Sequence, residues 1–222
     1  MTSEKAHISK VSEVFDRWAS NGRADGMEAG HLPMARPAFE KLELTAGQRY
    51  LDIGCGNGYT VRWAAAIEDV DAIGIDVSES MIKLARDRST HLANTRFIHA
   101  PFPLPILKAK TFDAIFSMEV FYYLTDLRWA LLSVIRLLKP GGKFACVVDF
   151  YEENEASLDW PEKVGVDLNR LSKDEWREAM QEVGFEIVEQ CQLTAPSTDG
   201  QDDDWRQTIG SLVTIGRRPF DS

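Results

Sequence analysis

Short apolar runs alternate with helical patterns through the middle of this chain. The runs have the length and the bounding turn residues of buried strands, and the segments between them place apolar residues on one face of a helix. The predicted strands are a run that begins at Tyr50, then 71–76, 96–100, 112–118 and 143–150. The predicted helices cover 61–67, a segment that follows the N-cap Ser78, and 127–138. This alternation predicts an α/β fold with a doubly wound, mostly parallel sheet.

The pattern changes after the fifth predicted strand. An acidic stretch at 151–171 precedes Ser172 and Glu175, whose spacing is that of a capping box. The helix that this box opens is expected to end at Gly184, because glycine is a common helix stop. The remaining predicted elements are a strand at 185–193, a polar acidic loop at 195–205 and a last strand at 208–216.

The N-terminal segment differs in pattern from the rest of the chain. Apolar residues between Ile8 and Trp18 recur at helical spacing, so an amphipathic helix is expected to close before Asn21-Gly22. The following segment, 23–37, contains two glycines and two prolines and has no clear period. This composition favours a lid or an ordered loop over regular structure.

Length and charge limit what the protein is expected to do. The 222 residues suit a lid at 1–37 and a single domain at 38–222, which begins with a short helix at 38–44. The formal net charge of −10 leaves no basic footprint for nucleic acid and would repel an anionic membrane surface. The chain has no apolar targeting segment and no run near the roughly 18 apolar residues of a membrane span. We therefore expect a cytoplasmic protein with small or neutral substrates and no nucleic-acid or membrane partner.

The cysteines and histidines do not suggest a metal site. Cys55, Cys146 and Cys191 are odd in number and widely separated, as expected of small core residues in a reducing compartment. The four histidines are scattered and show no ligand spacing. The sequence therefore predicts no metal, and it leaves the oligomeric state open.

Residues 50–60, YLDIGCGNGYT, join a buried strand to a helix through three alternating glycines. Such a turn lets the backbone approach a ligand closely, and the N–H groups that open the following helix point at the same place. A dinucleotide site would need glycine at position 59, and a P-loop would need a Lys-Ser/Thr pair where Tyr59-Thr60 stands. The remaining alternative is a glycine-rich turn that binds no ligand. The pattern of Asp52, Gly54, Gly56 and Gly58 resembles motif I of the class I S-adenosylmethionine-dependent methyltransferases.

The resemblance implies a Rossmann-like, seven-stranded sheet that ends in an antiparallel hairpin, with S-adenosylmethionine as the cofactor. It implies that Asp76, at the end of the second strand, binds the ribose hydroxyls. The family has a Gly-Asp-type step after the third strand, where this chain has Ala100-Pro101, so a backbone group near Phe102 is expected to read the adenine edge. The cofactor-binding residues that it implies are Asp52, Gly54, Cys55, Gly56, Gly58, Asp76, Val77, Met81, Phe102 and Met118.

The end of the fourth strand is expected to face the methyl group that is transferred, because the resemblance places the acceptor pocket there. Glu119 is an acid in an apolar run, and such a group usually has a partner. Tyr122 offers a phenol or a π-face to an acceptor, although aromatic side chains are core residues by default. His31, in the expected lid, can accept a proton near neutral pH, although an idle surface histidine is an equal alternative. Glu119, Tyr122 and His31 are thus the candidate catalytic residues.

The expected function is methyl transfer from S-adenosylmethionine to a small-molecule acceptor. The acceptor atom, O, N, S or C, cannot be read from these residues. Two alternatives stay open: a non-catalytic S-adenosylmethionine-binding regulator or partner subunit of the same fold, and, more distantly, a dehydrogenase that uses NAD.

Overall fold

The computed structural model describes residues 3–196 and 204–221. Within those residues the chain forms one seven-stranded sheet with the strand order β3-β2-β1-β4-β5-β7-β6. The strands are β1 (Arg49–Ile53), β2 (Asp71–Asp76), β3 (Thr95–His99), β4 (Phe112–Met118), β5 (Leu138–Val148), β6 (Glu186–Leu193) and β7 (Ser211–Arg217). The predicted α/β, Rossmann-like sheet is confirmed.

Strand β1 is central because it pairs in parallel with both β2 and β4. The chain runs outward from β1 through β2 to β3, then returns to place β4 on the other side of β1. In an open parallel sheet, such a reversal of strand order leaves a crevice at the carboxyl ends of the strands. The loops after β1 and β4 therefore open onto a common cleft.

The last two strands close the sheet in antiparallel fashion. Strand β7 lies between β5 and β6 and runs antiparallel to both, so the expected hairpin is confirmed. The Pro-Gly-Gly sequence at 140–142 favours a turn locally, but these residues belong to an irregular start of β5. The last strand begins at Ser211 and not at 208, since residues 205–208 form a short helix. Of the loop expected at 195–205, residues 197–203 lie outside the described part of the chain.

Helices cover both faces of the sheet, and the longer ones follow the predicted pattern. The Ser78 side chain caps its helix by accepting a hydrogen bond from the Met81 amide, and Ser172 and Glu175 form the capping box. The helices are α1 (Ser3–Ser20), α2 (Arg23–Glu40), α3 (Tyr59–Ala65), α4 (Glu79–Arg88), α5 (Leu127–Leu137), α6 (Trp160–Val164), α7 (Lys173–Glu182) and α8 (Trp205–Thr208).

Helix α2 corrects the expectation of a loop at 23–37. Pro33 and Pro37 each remove one helical N–H donor, and a proline in a helix interior costs about 3 kcal/mol. The helix persists because its second half is buried against the sheet through Met34, Ala35, Ala38 and Phe39. The expected boundary at residue 37 falls inside this helix, and of the separate helix expected at 38–44 only residues 38–40 are helical, as the end of α2. Tertiary burial thus outweighs the local cost of proline.

Helix α1 ends before Asn21-Gly22, as predicted, and it buries fewer side chains than α2 does. Its fully buried side chains are Val11 and Val14. Its neighbours are α4 and α2. Helix α1 has no place in the sheet, and its residues His7, Ile8, Val11 and Phe15 line the cleft at the carboxyl ends of the strands. No helix in residues 3–196 or 204–221 is long and apolar enough to cross a membrane.

Candidate active site

The glycine loop after β1 folds back on β2. The amides of Gly54 and Cys55 both donate hydrogen bonds to the carbonyl of Ile75, at 2.8 and 3.0 Å. The amide of Gly56 donates to Asp76 Oδ2 at 2.8 Å. These bonds fix the loop at the end of β2, so that the motif and Asp76 form one unit.

The three motif glycines all have positive φ, +74° at Gly54, +51° at Gly56 and +82° at Gly58, but their surroundings differ. A Cβ on Gly54 would lie 2.1 Å from a methyl group of Val120, and one on Gly58 would lie 2.8 Å from the Phe97 ring. These two positions are glycine because protein atoms approach them. A Cβ on Gly56 would meet nothing within 4 Å and would project into the cleft. Gly56 is therefore the motif glycine at which a side chain would enter open space and not overlap with protein atoms.

Asp76 is presented to the cleft as a hydrogen-bond acceptor. Besides the Gly56 amide on Oδ2, the Ser78 amide donates to Oδ1 at 2.8 Å. Each oxygen keeps a lone pair for another donor, such as a ribose hydroxyl. Burial raises the pKa of Asp76 to about 6, although the two amide bonds oppose the shift.

Asp52 lies beneath the loop, in β1. It is buried and accepts a hydrogen bond from the Thr60 hydroxyl, which belongs to α3. Burial raises the pKa of Asp52 to about 7, against the opposing effect of Thr60. Two buried carboxyl groups with raised pKa values, Asp52 and Asp76, thus line the same cleft.

The cleft is mainly apolar and encloses about 1070 Å³ of empty space, its open mouth included. Its wall beside Asp76 consists of Val77, Met81, Ala100, Pro101 and Phe102. An apolar slot next to a carboxylate suits an adenosine. The open space at Gly56, this slot and the two acids together fit S-adenosylmethionine.

The acceptor end of the cleft is built on Glu119, the residue after β4. Its backbone has a φ of +62°, which is costly for a residue with a Cβ and is typical of functional sites. The Glu119 carboxylate accepts hydrogen bonds from the Tyr122 hydroxyl, at 2.7 Å, and from the Asp149 amide. Burial raises the pKa of Glu119, and the neighbouring carboxyl group of Asp149 adds to this. The strand end therefore holds a fixed, half-buried carboxyl group.

His31, Glu119 and Asp149 converge from α2, β4 and β5. One ring nitrogen and one oxygen of each acid all lie within 4.8 Å of one another. Burial raises the pKa of Asp149 to about 6, opposed by the Ser211 hydroxyl that donates to it and by Arg206. Burial and the charge of Arg206 lower the pKa of His31 to about 4. The imidazole is therefore neutral at pH 7, and a neutral ring has one nitrogen that can accept a proton.

This cluster could also hold a divalent cation, since one imidazole and two carboxylates are suitable donors. The positive charge of Arg206 acts on all three groups, however: it lowers the pKa of His31 and opposes the rise in the pKa of both acids. The Arg206 guanidinium lies over the Trp205 ring at 4.5 Å, which fixes it near the cluster. Proton transfer is thus better supported than metal binding.

Helices α1 and α2 are attached over the cleft by polar contacts. His7 Nε2 donates to the carbonyl of Tyr123 at 2.7 Å. Asp16 accepts from the Ser78 hydroxyl at 2.6 Å and from the Ser80 amide at 3.0 Å. In α2, Glu28 accepts a hydrogen bond from the Asn57 side chain of the glycine loop. Both helices are therefore hydrogen-bonded to loops that bound the cleft.

Most sequence-predicted residues line the cleft. They are His31, Asp52, Gly54, Cys55, Gly56, Asp76, Val77, Met81, Phe102, Met118 and Glu119. Gly58 and Tyr122 do not line it: Gly58 faces Phe97, and Tyr122 is 2% exposed behind Glu119. His31 lies on a helix and not in a loop.

Sequence reasoning missed Glu28, Asn57, Asp149 and Arg206. Asp149 carried a usable signal, since it is an acid near the end of a buried strand predicted at 143–150; in the structure it directly follows β5, as Glu119 follows β4. Arg206 and Glu28 carried no such signal in the sequence, because their roles arise from contacts with residues that are distant in the chain. The active site is thus only partly visible in the local patterns.

Comparisons with known proteins agree with this geometry. A family described as a methyltransferase domain matches residues 51–146. The O-methyltransferase rstn1 of Aspergillus nomiae is 30% identical over 182 residues, which is 78% of this chain and 79% of that protein.

Two solved structures extend the likeness over nearly the whole chain. One is a chain of the complex between the Haloferax volcanii Trm112 methyltransferase activator and a methyltransferase. It is 33% identical to this chain, with a TM-score of 0.85, and the match covers 92% of this chain and 97% of that one. The Burkholderia thailandensis 1,6-didemethyltoxoflavin-N1-methyltransferase, solved with S-adenosylhomocysteine, shares the fold, with a TM-score of 0.74 at 18% identity over 99% of this chain and 92% of that one.

The two glycines that differ in surroundings give a matched pair of variants. Gly56→Ala should fold, at a cost of about 1–2 kcal/mol for the left-handed backbone, and should bind S-adenosylhomocysteine roughly tenfold or more weakly, because its methyl group enters the cleft. Gly54→Ala should lose about 1–3 kcal/mol more, because of the overlap with Val120. Chemical denaturation and calorimetry measure both effects. Native affinity in Gly56→Ala would contradict this assignment.

Cofactor affinity should depend on pH through Asp52 and Asp76. Their raised pKa values of about 7 and 6 mean that both are partly protonated in the free protein below neutral pH. Bound S-adenosylmethionine carries two cations, its sulfonium and its α-ammonium group, and both favour the ionised acids, so binding releases protons and tightens as pH rises from about 5.5 to 8. Calorimetry should find a smaller dependence for the uncharged thioether product, and a flatter curve for Asp52→Asn. Equal affinity for S-adenosylmethionine at about pH 5.5 and about pH 8 would rule out this coupling between protonation and binding.

Proposed function

This chain belongs to the class I S-adenosylmethionine-dependent methyltransferases, and from that premise we propose that it methylates a hydroxyl group of a small organic acceptor. The observation that carries the proposal is the cluster of His31, Glu119 and Asp149 at the acceptor end of the cleft. The name of the O-methyltransferase relative rstn1 supports the same chemistry.

A hydroxyl acceptor explains why a proton-accepting group is needed. A neutral alcohol or phenol is a weak nucleophile until it loses its proton, whereas a neutral amine attacks with its own lone pair. The donor's methyl group is already activated by the positive sulfur, so the protein mainly aligns the reactants. General-base catalysis is then the chemical contribution that remains for side chains to make.

The proposed roles follow from the contacts of each side chain. As the acceptor oxygen bonds to the methyl carbon and the carbon–sulfur bond breaks, the hydroxyl proton passes to the neutral ring of His31. The carboxyl groups of Glu119 and Asp149 stabilise the imidazolium that results. Tyr122 is a positioning residue, because its buried hydroxyl holds Glu119 and does not reach the cleft. Water is kept out by α1 and α2, which we propose act as the lid.

A non-catalytic S-adenosylmethionine-binding protein of the same fold is the alternative. Such a protein would not need a neutral imidazole beside two carboxyl groups at the methyl end of the cleft. Turnover separates the two functions directly. The protein should transfer a labelled methyl group from S-adenosylmethionine to members of a panel of phenols and alcohols, with an ether as the product by mass spectrometry. Methylation of amines or carbon centres only would contradict the hydroxyl assignment.

Once an acceptor is known, His31→Gln should lower methyl transfer about 10²–10⁴-fold, as loss of a general base does, while cofactor affinity stays native. Tyr122→Phe should lower it about 10-fold or somewhat more, because one hydrogen bond to a carboxylate is lost. His91→Gln, at an exposed histidine outside the cleft, is the matched control. Full activity in His31→Gln, or a strict requirement for a divalent cation, would overturn these roles.

We also propose that the protein works with an activator chain. The support is the 33% identity to a chain solved in complex with a methyltransferase activator, over 97% of that chain. Co-expression with such an activator should yield a complex on size-exclusion chromatography and a higher rate of methyl transfer than the isolated chain. Two separate peaks with an unchanged rate would refute the pairing.

A further inference from the structure

One face of α2 lines the acceptor end of the cleft. Ala24, Met27 and His31 follow one another at intervals of three and four residues, so they share one face of this helix. All three line the cleft, Ala24 as a buried residue and Met27 as a half-buried one. An acceptor whose hydroxyl reaches His31 therefore has the apolar side chain of Met27 within one helical turn of that hydroxyl.

Two aromatic rings form another part of the wall. Phe15 of α1 and Tyr123 both line the cleft, and they pack edge to face with ring centroids 5.5 Å apart. Tyr123 belongs to a single 3-10 turn, Phe121–Tyr123, just after Glu119. Aromatic rings pack well against one another in such offset geometries, and a methionine thioether is favourable beside a ring. This surface thus suits a flat, apolar acceptor.

The lining of the cleft carries no fixed positive charge. None of the described residues that line it is lysine or arginine, whereas four carboxyl groups do: Glu28, Asp52, Asp76 and Glu119. An anion that leaves water for an apolar site without a cationic partner loses its hydration, and nearby carboxylates repel it. A carboxylate or phosphate group on the acceptor would therefore be unfavourable here.

Two arginines act on the acceptor end from outside the lining. The positive charge of Arg206 acts on His31, and that of Arg23 acts on Tyr123. The Arg206 guanidinium lies over the Trp205 ring at 4.5 Å, and the Arg23 guanidinium lies over the Trp18 ring at 4.0 Å. Neither arginine is among the residues that line the cleft, so neither offers its guanidinium to an acceptor there.

The acidity of the hydroxyl limits the acceptor further. With a pKa of about 4, His31 is a weak proton acceptor. A phenol such as tyrosine loses its proton with a pKa of about 10, whereas an aliphatic alcohol holds its proton about as tightly as water, whose pKa is about 15.7. Proton transfer to His31 is therefore far less unfavourable from a phenol than from an alcohol.

We propose that the acceptor is an uncharged phenol, whose ring packs against Met27, Phe15 and Tyr123 while its hydroxyl faces His31. The phenol oxygen bonds to the methyl carbon as the carbon–sulfur bond breaks, and the phenol proton passes to His31. The products are an aryl methyl ether and S-adenosylhomocysteine. The choice of a hydroxyl rests on the proposed function, whereas the preference for an uncharged ring rests on the lining of the cleft.

Calorimetry on protein saturated with S-adenosylhomocysteine tests the charge preference without turnover. The probes are methyl 4-hydroxybenzoate with 4-hydroxybenzoate, and methyl 6-hydroxy-2-naphthoate with 6-hydroxy-2-naphthoate. At pH 7 the ester of each pair should bind about 100-fold or more tightly than its carboxylate, because only the carboxylate loses the hydration of an anion. A ratio near one, tighter binding of the carboxylates, or binding of neither ester would overturn the proposal.

A change of charge at Met27 tests the place of the ring. In Met27→Lys the preference for the ester should fall about tenfold or more, because an ammonium group beside the ring can pair with the carboxylate. Leu32→Lys is the matched control, since it adds the same charge at an exposed position of α2 outside the cleft, and it should keep the wild-type ratio. An unchanged ratio in folded Met27→Lys would remove Met27 from the acceptor site. The wild-type ratio remains a test if that variant does not fold.

Turnover separates this proposal from the hydroxyl-methylation proposal. The protein should transfer a labelled methyl group to 2-naphthol, with 2-methoxynaphthalene as the product, at a rate at least about 100-fold above that with the alcohol decahydro-2-naphthol. Equal rates would overturn the phenol assignment and leave hydroxyl methylation standing. An ether from neither compound, with the ester preference intact, would count against hydroxyl methylation and leave the uncharged aromatic ligand standing.

Discussion

The reversal of strand order beside β1 is the constraint on which the rest of the site depends. It places the loops after β1 and β4 next to each other at one edge of the sheet, with the end of β2 alongside. The glycine loop and Asp76 are there hydrogen-bonded into one unit, and Glu119 follows β4 at the opposite wall. Cofactor and acceptor chemistry therefore meet in a cleft whose position is set by topology before any side chain is considered.

Buried acids give this cleft its electrostatic character. Asp52 and Asp76 lie at the cofactor end, and Glu119 and Asp149 lie at the acceptor end; burial raises the pKa of each. Such groups are costly in a free protein and become less so when a cation binds beside them. A cofactor with a positive sulfur supplies that cation. The acidic cleft is thus complementary to the charge of the methyl donor.

The sequence predicted the sheet well because its signals are local. Strand β2 and strand β4 are short apolar runs whose ends are marked by an acid or a turn, and the structure has both at the predicted bounds. Helix α2 was mispredicted because Pro33 and Pro37 are helix breakers locally, whereas the burial of Met34 and Phe39 is a property of the fold. Local rules fail where tertiary packing opposes them.

The same distinction applies to the cleft. The motif glycines and Asp76 were predictable because the motif and the strand ends carry them. The bond between Glu28 and Asn57 and the approach of Arg206 to Glu119 join segments far apart in the chain, which no periodic pattern can report. Gly58 and Tyr122 show the converse: both belong to the pattern, yet both face protein. Motif membership predicts the place of a residue but not the direction in which it faces.

A crystal structure of the protein with S-adenosylhomocysteine tests the central claim most directly. The ribose hydroxyls should lie within hydrogen-bond distance of the Asp76 carboxylate, and the sulfur should face the wall formed by Glu119 and His31. Helices α1 and α2 should cover the ligand. Density for the ligand outside this cleft, or a sulfur atom turned away from Glu119, would contradict the account.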